Sequence, residues 1–210
     1  MRPLVSALRG AHPWMQVELS GAHQRVDLAK GDADIAARMA RPEELDLVAH
    51  RTFDVGWFVY AAATYLAARG RPATFDDLAK HQPALYIEAM HNVTPLRWME
   101  AHRGPVAHVS RVVNLEIVCQ TISAGGGIAV LPCFIADPVP DLQRVFPDRV
   151  AVNTGWVVYH EAARDTSRVR VVADALGAFF RSHDSMFSGN PGLGTGTPDA
   201  LDALQTRRAE

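Results

Sequence analysis

The segment His160-Glu161-Ala162-Ala163-Arg164 opens like a zinc-binding helix, where two histidines four residues apart share one face and the glutamate serves as base. The second ligand position is Arg164, so no metal pair forms. Gly125-Gly126-Gly127 suggests a phosphate cradle, but Ile-Ala-Val follows it. That continuation lacks both the later glycine of a dinucleotide fingerprint and the Gly-Lys-Ser/Thr of a P-loop, so the run reads as a helix end and a tight turn into a buried strand. Gly192, Gly194 and Gly196 have neither a strand before them nor a helix after them and read as linker. No GxSxG elbow is present, and serine, histidine and aspartate are scattered without singling out a nucleophile. Cys119 and Cys133 lie in apolar segments without ligand spacing, which disfavours a disulfide framework or structural zinc and suits a reducing cytosol. Of the nine histidines, His12, His81, His102 and His183 occupy polar loop or helix-end contexts, where solvation or capping is the expected role. No catalytic residue, metal site or cofactor is expected.

The elements that would position any site alternate between helical period and short apolar runs, the pattern of an α/β fold. A helix is expected over 2–10, strands over 15–19 and 34–38, and a helical turn over 26–30 closed by Gly31. Strands at 47–51 and 57–61 flank Gly56; a helix over 64–69 stops at Gly70, and Thr74 caps a short helix over 75–80. Strands follow at 85–87 and 106–109, with 95–102 open between helix and loop. The clearest helix is 115–124. Asn114 caps it, Glu116 favours the positive end of its dipole, and Leu115, Val118, Cys119 and Ile122 share a face. Strands at 128–131 and 155–159 and a last amphipathic helix, marked by Val169, Val172, Leu176, Phe179 and Phe180, complete the reading.

With 210 residues, 48% of them hydrophobic and 21% charged, the chain is long enough for one large domain or two lobes with real cores. The net charge of −2 provides no global basic field for DNA or an anionic membrane. No segment approaches transmembrane length, and the N-terminal residues have no unbroken apolar signal core. From Ser185 to Glu210 the composition turns polar and Gly/Pro-rich, and this stretch is expected to be a disordered tail.

The run VDLAKGDADIAARMARPEELDLVAHRTFDVGWFVYAAATYLAARGRPATFDDLAKH resembles the effector-binding domain of LysR-type transcriptional regulators. Arg97-Trp98, VVNLE, AGGGIAVLPCF and WVVYHEAARDTSRVRVVADALGAFF follow in that family's order, so the resemblance covers about residues 1–183. It implies two Rossmann-like α/β lobes joined by two crossover strands, similar to type 2 periplasmic-binding proteins, with a small-molecule cleft. The first lobe would hold about 1–50 and 168–183, the second about 58–155.

Ligands of open α/β sheets bind beyond the carboxyl ends of strands, near helix N-termini. Within the resemblance this rule singles out Ser20, Gly21, Ala22, His23, Arg38 and Met39 in the first lobe. In the second it singles out Ile87, Glu88, Ala89, Asn114, Leu115, Pro132 and Cys133. Asn114 suits a helix cap as well as a ligand. Arg38 suits a ligand carboxylate or an ion pair with Asp34 or another residue of its lobe. Glu88 reads as a contact or a solvated loop carboxylate, and its charge argues against a dianionic effector.

Members of the family carry a winged helix-turn-helix that this chain does not show, so DNA would be reached only through such an N-terminal domain. Met1 falls at the family's first effector-domain helix, which implies the absence of an interior strand and hence a truncated reading frame, a decayed gene product or a repaired domain. The expected function is effector sensing and dimerisation, as a homodimer or higher homo-oligomer, with regulation of transcription when joined to the DNA reader. A small-molecule effector is the expected partner, a carboxylate among the candidates, with no membrane partner. The alternatives are a stand-alone cytosolic solute-binding module and an α/β enzyme.

Overall fold

The structure, a computed structural model, describes residues 2–21, 26–39, 41–86, 94–105, 110–112 and 114–190. These residues divide into two compact units. The first comprises residues up to 54 and 154–185; the second comprises 55–153 and 186–190.

The first unit begins with α1 (Arg2–Ala11), whose Leu4 and Leu8 are buried. It packs on α6 (Ser167–Ser182), which buries Val169, Ala175, Leu176, Phe179 and Phe180 along one side. The 3.6-residue spacing of these apolar positions explains both helices. Strand β1 (Ala36–Arg38) pairs antiparallel with β7 (Ala151–His160) in the register Ala36↔Val158 to Arg38↔Trp156. Phe53 stacks on Phe180 at 3.8 Å between ring centroids, and a Cβ at Gly155 would lie 2.2 Å from the Phe53 ring. Glycine is thus what lets β7 pass beside that ring.

The second unit is built on the long strand β2 (Leu47–Ala62), whose first half belongs to the first unit. Here β2 pairs antiparallel with the fully buried β5 (Ile128–Pro132), from Trp57↔Pro132 to Ala61↔Ile128, and with β6 (Leu142–Arg144). Helix α2 (Ala63–Arg69) ends at Gly70, and a 3₁₀ turn over Phe75–Lys80 carries a capping box between Thr74 and Asp77. A parallel pair, β3 (Ala84–Tyr86) and β4 (Ser110–Val112), packs with α3 (Thr94–His102) and α4 (Leu115–Ser123). The short α5 (Cys133–Ala136) follows β5.

The three glycines have structural reasons. Gly125 has φ +80 at the end of α4, a Cβ on Gly126 would lie 2.6 Å from the Thr121 carbonyl, and Gly127, at φ +130, admits the Gln82 carbonyl where a Cβ would come within 2.2 Å. The Gln82 carbonyl accepts the Ile128 N–H at 2.8 Å, tying the turn to the head of β5.

Four expectations change. Residues 15–19 bury Met15 and expose Gln16 and Glu18, but Leu19 is exposed too and the stretch forms no strand; among the described residues nothing completes a ladder beside them. The strands expected at 47–51 and 57–61 are one, β2, with Gly56 inside it. His81 is buried rather than solvated, with its Nδ1 3.3 Å from the Tyr65 hydroxyl. The expected disordered tail from Ser185 begins instead with α7 (Asp184–Ser188), and Phe187 and Ser188 are buried on the second unit. Phe187 supplies the apolar anchor that composition averaged over the tail conceals. The strand expected at 106–109 and the remainder of the tail, 191–210, lie outside the described residues.

Candidate functional site

In the first unit, a turn begins at Asp27, whose carboxylate accepts the N–H groups of Ala29 and Lys30 at 3.1 and 3.2 Å. The Lys30 ammonium lies 3.0 Å from the same carboxylate and holds it below the ordinary carboxylate range. This turn, the end of β1 and the approach to β2 enclose an open depression of about 350 Å³. Val26, Asp27, Arg38, Glu44 and Asp46 are among its walls. Arg38 is placed by the β1–β7 ladder at the last position of β1, and its side chain is 13% exposed. One guanidinium nitrogen donates to Glu44 Oε1 and another to the Val26 carbonyl, both at 3.1 Å. Arg38 therefore pairs with Glu44, while Asp34 pairs with Arg168 at 3.5 Å. Ser20 and Gly21 are exposed on an irregular stretch and Met39 is exposed beside Arg38; Ala22 and His23 lie outside the described residues.

In the second unit, Asn114 Oδ1 accepts the Ile117 N–H at 2.8 Å and caps α4, so the cap reading of that residue holds geometrically. Leu115 is half-buried. Pro132 and Cys133 are buried at the junction of β5 and α5, and the Cys133 thiol faces the carbonyls of Met186 and Phe187 at 3.3 and 3.0 Å. Burial, and then the nearby Asp137 carboxylate, push that thiol up from its ordinary value. The thiol is thus held within the packing of the β5–α5 junction. Ile87, Glu88 and Ala89 lie outside the described residues.

Other polar groups serve local structure. His160 Nδ1 accepts the Ala162 N–H at 3.2 Å, leaving Nε2–H to donate to Asp46 at 3.2 Å, so the zinc-like segment is a helical cap. His102 and His183 donate from Nδ1 to the carbonyls four residues before them, at 2.7 and 2.8 Å. No group of three metal-ligating side chains assembles among the described residues. Tyr60 donates to Asp137 at 2.7 Å, and Asp137 also receives the Arg144 guanidinium. Burial first, and Asp137 second, push the Tyr60 phenol above its ordinary range.

Sequence reasoning missed the residues around Arg38. The turn over 26–30 closed by Gly31 was legible, though not the part Asp27 takes in it, whereas Glu44 and Asp46 lie in an aperiodic stretch without a local signature.

Residues 1–181 match the LysR substrate binding domain family. Among curated proteins, the chain is 29% identical over 138 residues to an HTH-type transcriptional regulator of Haemophilus influenzae, covering 63% of this chain and 47% of that protein. It is 26% identical over 185 residues to the HTH-type transcriptional regulator CrgA of Neisseria meningitidis, covering 84% of this chain and 61% of CrgA. The chain thus spans roughly half to three fifths of the length of these relatives. The regulatory domain of CrgA is also structurally similar, with a TM-score of 0.72 at 23% identity over 85% of this chain and 91% of that domain. That likeness establishes a mixed α/β fold of the type 2 periplasmic-binding kind, with β2 and β7 running through both units. No helix among the described residues is long and apolar enough to cross a membrane. The ordered motifs from Val26 to Phe180, the two α/β units they build and the match over 1–181 lead to one conclusion: this chain belongs to the LysR substrate-binding-domain family.

Proposed function

We propose that the chain senses a small-molecule effector in the cytoplasm, without turning it over, and regulates transcription when joined to a DNA-binding domain. The family match over residues 1–181 carries this reading. The family relationship also supports association with a second copy, as a homodimer or higher homo-oligomer. Within the first unit the proposed effector contacts are Ser20, Gly21, Ala22, His23, Arg38 and Met39. Within the second they are Ile87, Glu88, Ala89, Asn114, Leu115, Pro132 and Cys133.

The test is thermal denaturation of the 210-residue chain with a panel of carboxylic acids, amino acids, sugars and aromatic compounds, followed by mass spectrometry of any binder. A ligand that binds only the folded state raises the melting temperature through mass action and is recovered unchanged. Absence of any shift across the panel, or recovery of a transformed compound, would overturn the proposal.

A further inference from the structure

Two buried side-chain polar atoms have no hydrogen-bond partner among the described residues, the Trp57 indole nitrogen Nε1 and the Asn153 carboxamide oxygen Oδ1. Trp57, 4% exposed, lies on β2, and the half-buried Asn153 lies on the adjacent strand β7. A Cβ at Gly155 would meet the Phe53 ring, and Thr154 Oγ1 donates to Asp54 Oδ1 at 2.9 Å, so Gly155 lies beside Phe53 and Thr154 beside Asp54. One step further along, Asn153 lies beside Val55, on the face of β2 that carries Phe53, Val55 and Trp57. Trp57 is then diagonal to Asn153, a separation that an indole and a carboxamide can span. Val55, and Pro132 as the register partner of Trp57 on β5, bring no polar side-chain atom to them. On the other face of β2, where Gly56 has no side chain, the Ser188 carbonyl oxygen lies 2.2 Å from where a Cβ would stand.

We propose that docking of residues 186–190 and a hydrogen bond from Trp57 to Asn153 exclude each other. With Ser188 against Gly56, β2 is held where the donor and the acceptor do not meet; once the segment leaves, β2 shifts against β7 and the indole N–H donates to Asn153 Oδ1. Buried polar groups without partners are costly, so the docked form carries a penalty that release removes. Release in turn gives up the burial of Phe187, the Arg144 hydrogen bond to the Gly189 carbonyl and the Cys133 thiol contacts. These opposed contributions make a two-state element of the strand and the segment. Trp57, Asn153, Gly56 and residues 186–190 all belong to the second unit, and the device operates whether or not the chain senses an effector.

The test reads release through Cys133, whose thiol the docked segment contacts, with the buried Cys119 of α4 as the internal control for general opening. The 210-residue chain is alkylated with iodoacetamide, and the two cysteines are followed separately by mass spectrometry of their peptides. When opening and closing are fast, labelling tracks the population of the open form. Trp57→Phe, which keeps an aromatic ring but removes the donor, and Asn153→Leu, which removes the acceptor, should each slow Cys133 relative to Cys119 by about two- to tenfold, because only the released form loses a hydrogen bond. The double variant should be no slower than either single one. Gly56→Ala should speed Cys133 labelling and move the Trp57 indole N–H resonance in the NMR spectrum, and adding Asn153→Leu should abolish that movement. A Trp57 that only fills space predicts faster or unchanged labelling in Trp57→Phe. That result, additive effects in the double variant, or an unmoved indole resonance in Gly56→Ala would overturn the proposal.

Discussion

Replacing Gly56 by alanine tests how the C-terminal segment is held. The backbone of β2 at Gly56 meets that of Ser188 so closely that an added Cβ would lie 2.2 Å from the Ser188 carbonyl oxygen. Backbone on both sides leaves no flexible side chain to yield, so residues 186–190 must move away. Undocking exposes Phe187, 7% accessible when docked and 5.2 Å from the Phe134 ring, a loss of about 2–3 kcal/mol. It also breaks the Arg144 hydrogen bond to the Gly189 carbonyl and the Cys133 thiol contacts, together about 1–3 kcal/mol.

Against this, five residues regain backbone freedom at roughly 1 kcal/mol each at the low end of measured values. The two sums nearly cancel, and docking is worth on the order of 1 kcal/mol. Because the segment can leave, Gly56→Ala should cost no more than docking itself, about 1–2 kcal/mol. Urea denaturation of four proteins measures it: the parent, Gly56→Ala, a chain ending at Ser185, and the combination. The expected result is strong non-additivity, with Gly56→Ala nearly neutral in the shortened chain, since strand glycine is itself unfavourable relative to alanine. A loss above about 3 kcal/mol in the parent, or additive effects, would refute the reasoning.

Other perturbations have equally definite outcomes. Asn114→Ala should destabilise by about 1 kcal/mol through loss of the α4 cap, whereas Asn114→Ser should retain most of the stability; urea midpoints distinguish them. Gly155→Ala places a Cβ against the Phe53 ring and should lower the melting temperature, and Phe53→Leu in the same chain should recover part of that loss; equal losses with and without Phe53→Leu would exclude the clash. Burial lowers the His81 pKa below the ordinary 6.5, with Asp77 opposing and Arg69 and Lys80 reinforcing the shift. Its stabilising effect is therefore complete above pH 6.5 and declines as pH falls from there toward the folded-state pKa, because the unfolded chain binds the proton first. His81→Gln should flatten the stability profile across that window, and an unchanged slope would contradict it.

What the sequence disclosed depended on whether a residue's environment is local. Asn114, Glu116 and the apolar face of 115–124 are all set within one helix, and the helix formed as the pattern required. Gly125 to Gly127 were legible as turn residues, although the close approach of Gln82 that demands Gly127 comes from more than 40 positions away. Arg38 could be singled out from its place at a strand end, but its Glu44 partner could not, because nothing periodic marks residues 41–46. Residues 15–19 failed for a related reason: alternation reports a buried face, while a strand also needs a neighbour's backbone. His81 and Phe187 acquire their roles only through distant packing, against Tyr65 and the β5–α5 junction respectively.

The interleaving of the two units imposes an order on biosynthesis. Residues 55–153 form one uninterrupted stretch, so the body of the second unit can begin to fold as soon as that stretch has left the ribosome. The first unit must wait for β7 and α6, and its early residues must meet them across an insert of roughly 100 residues. If the insert folds first, it replaces a long floppy loop by a compact body with fixed exits, lowering the entropy lost when α1 finds α6. Nascent chains stalled after residue 153 should therefore already protect the second unit's strands from exchange while leaving α1 unprotected, and release of the full chain should close the first unit in a later, separate phase.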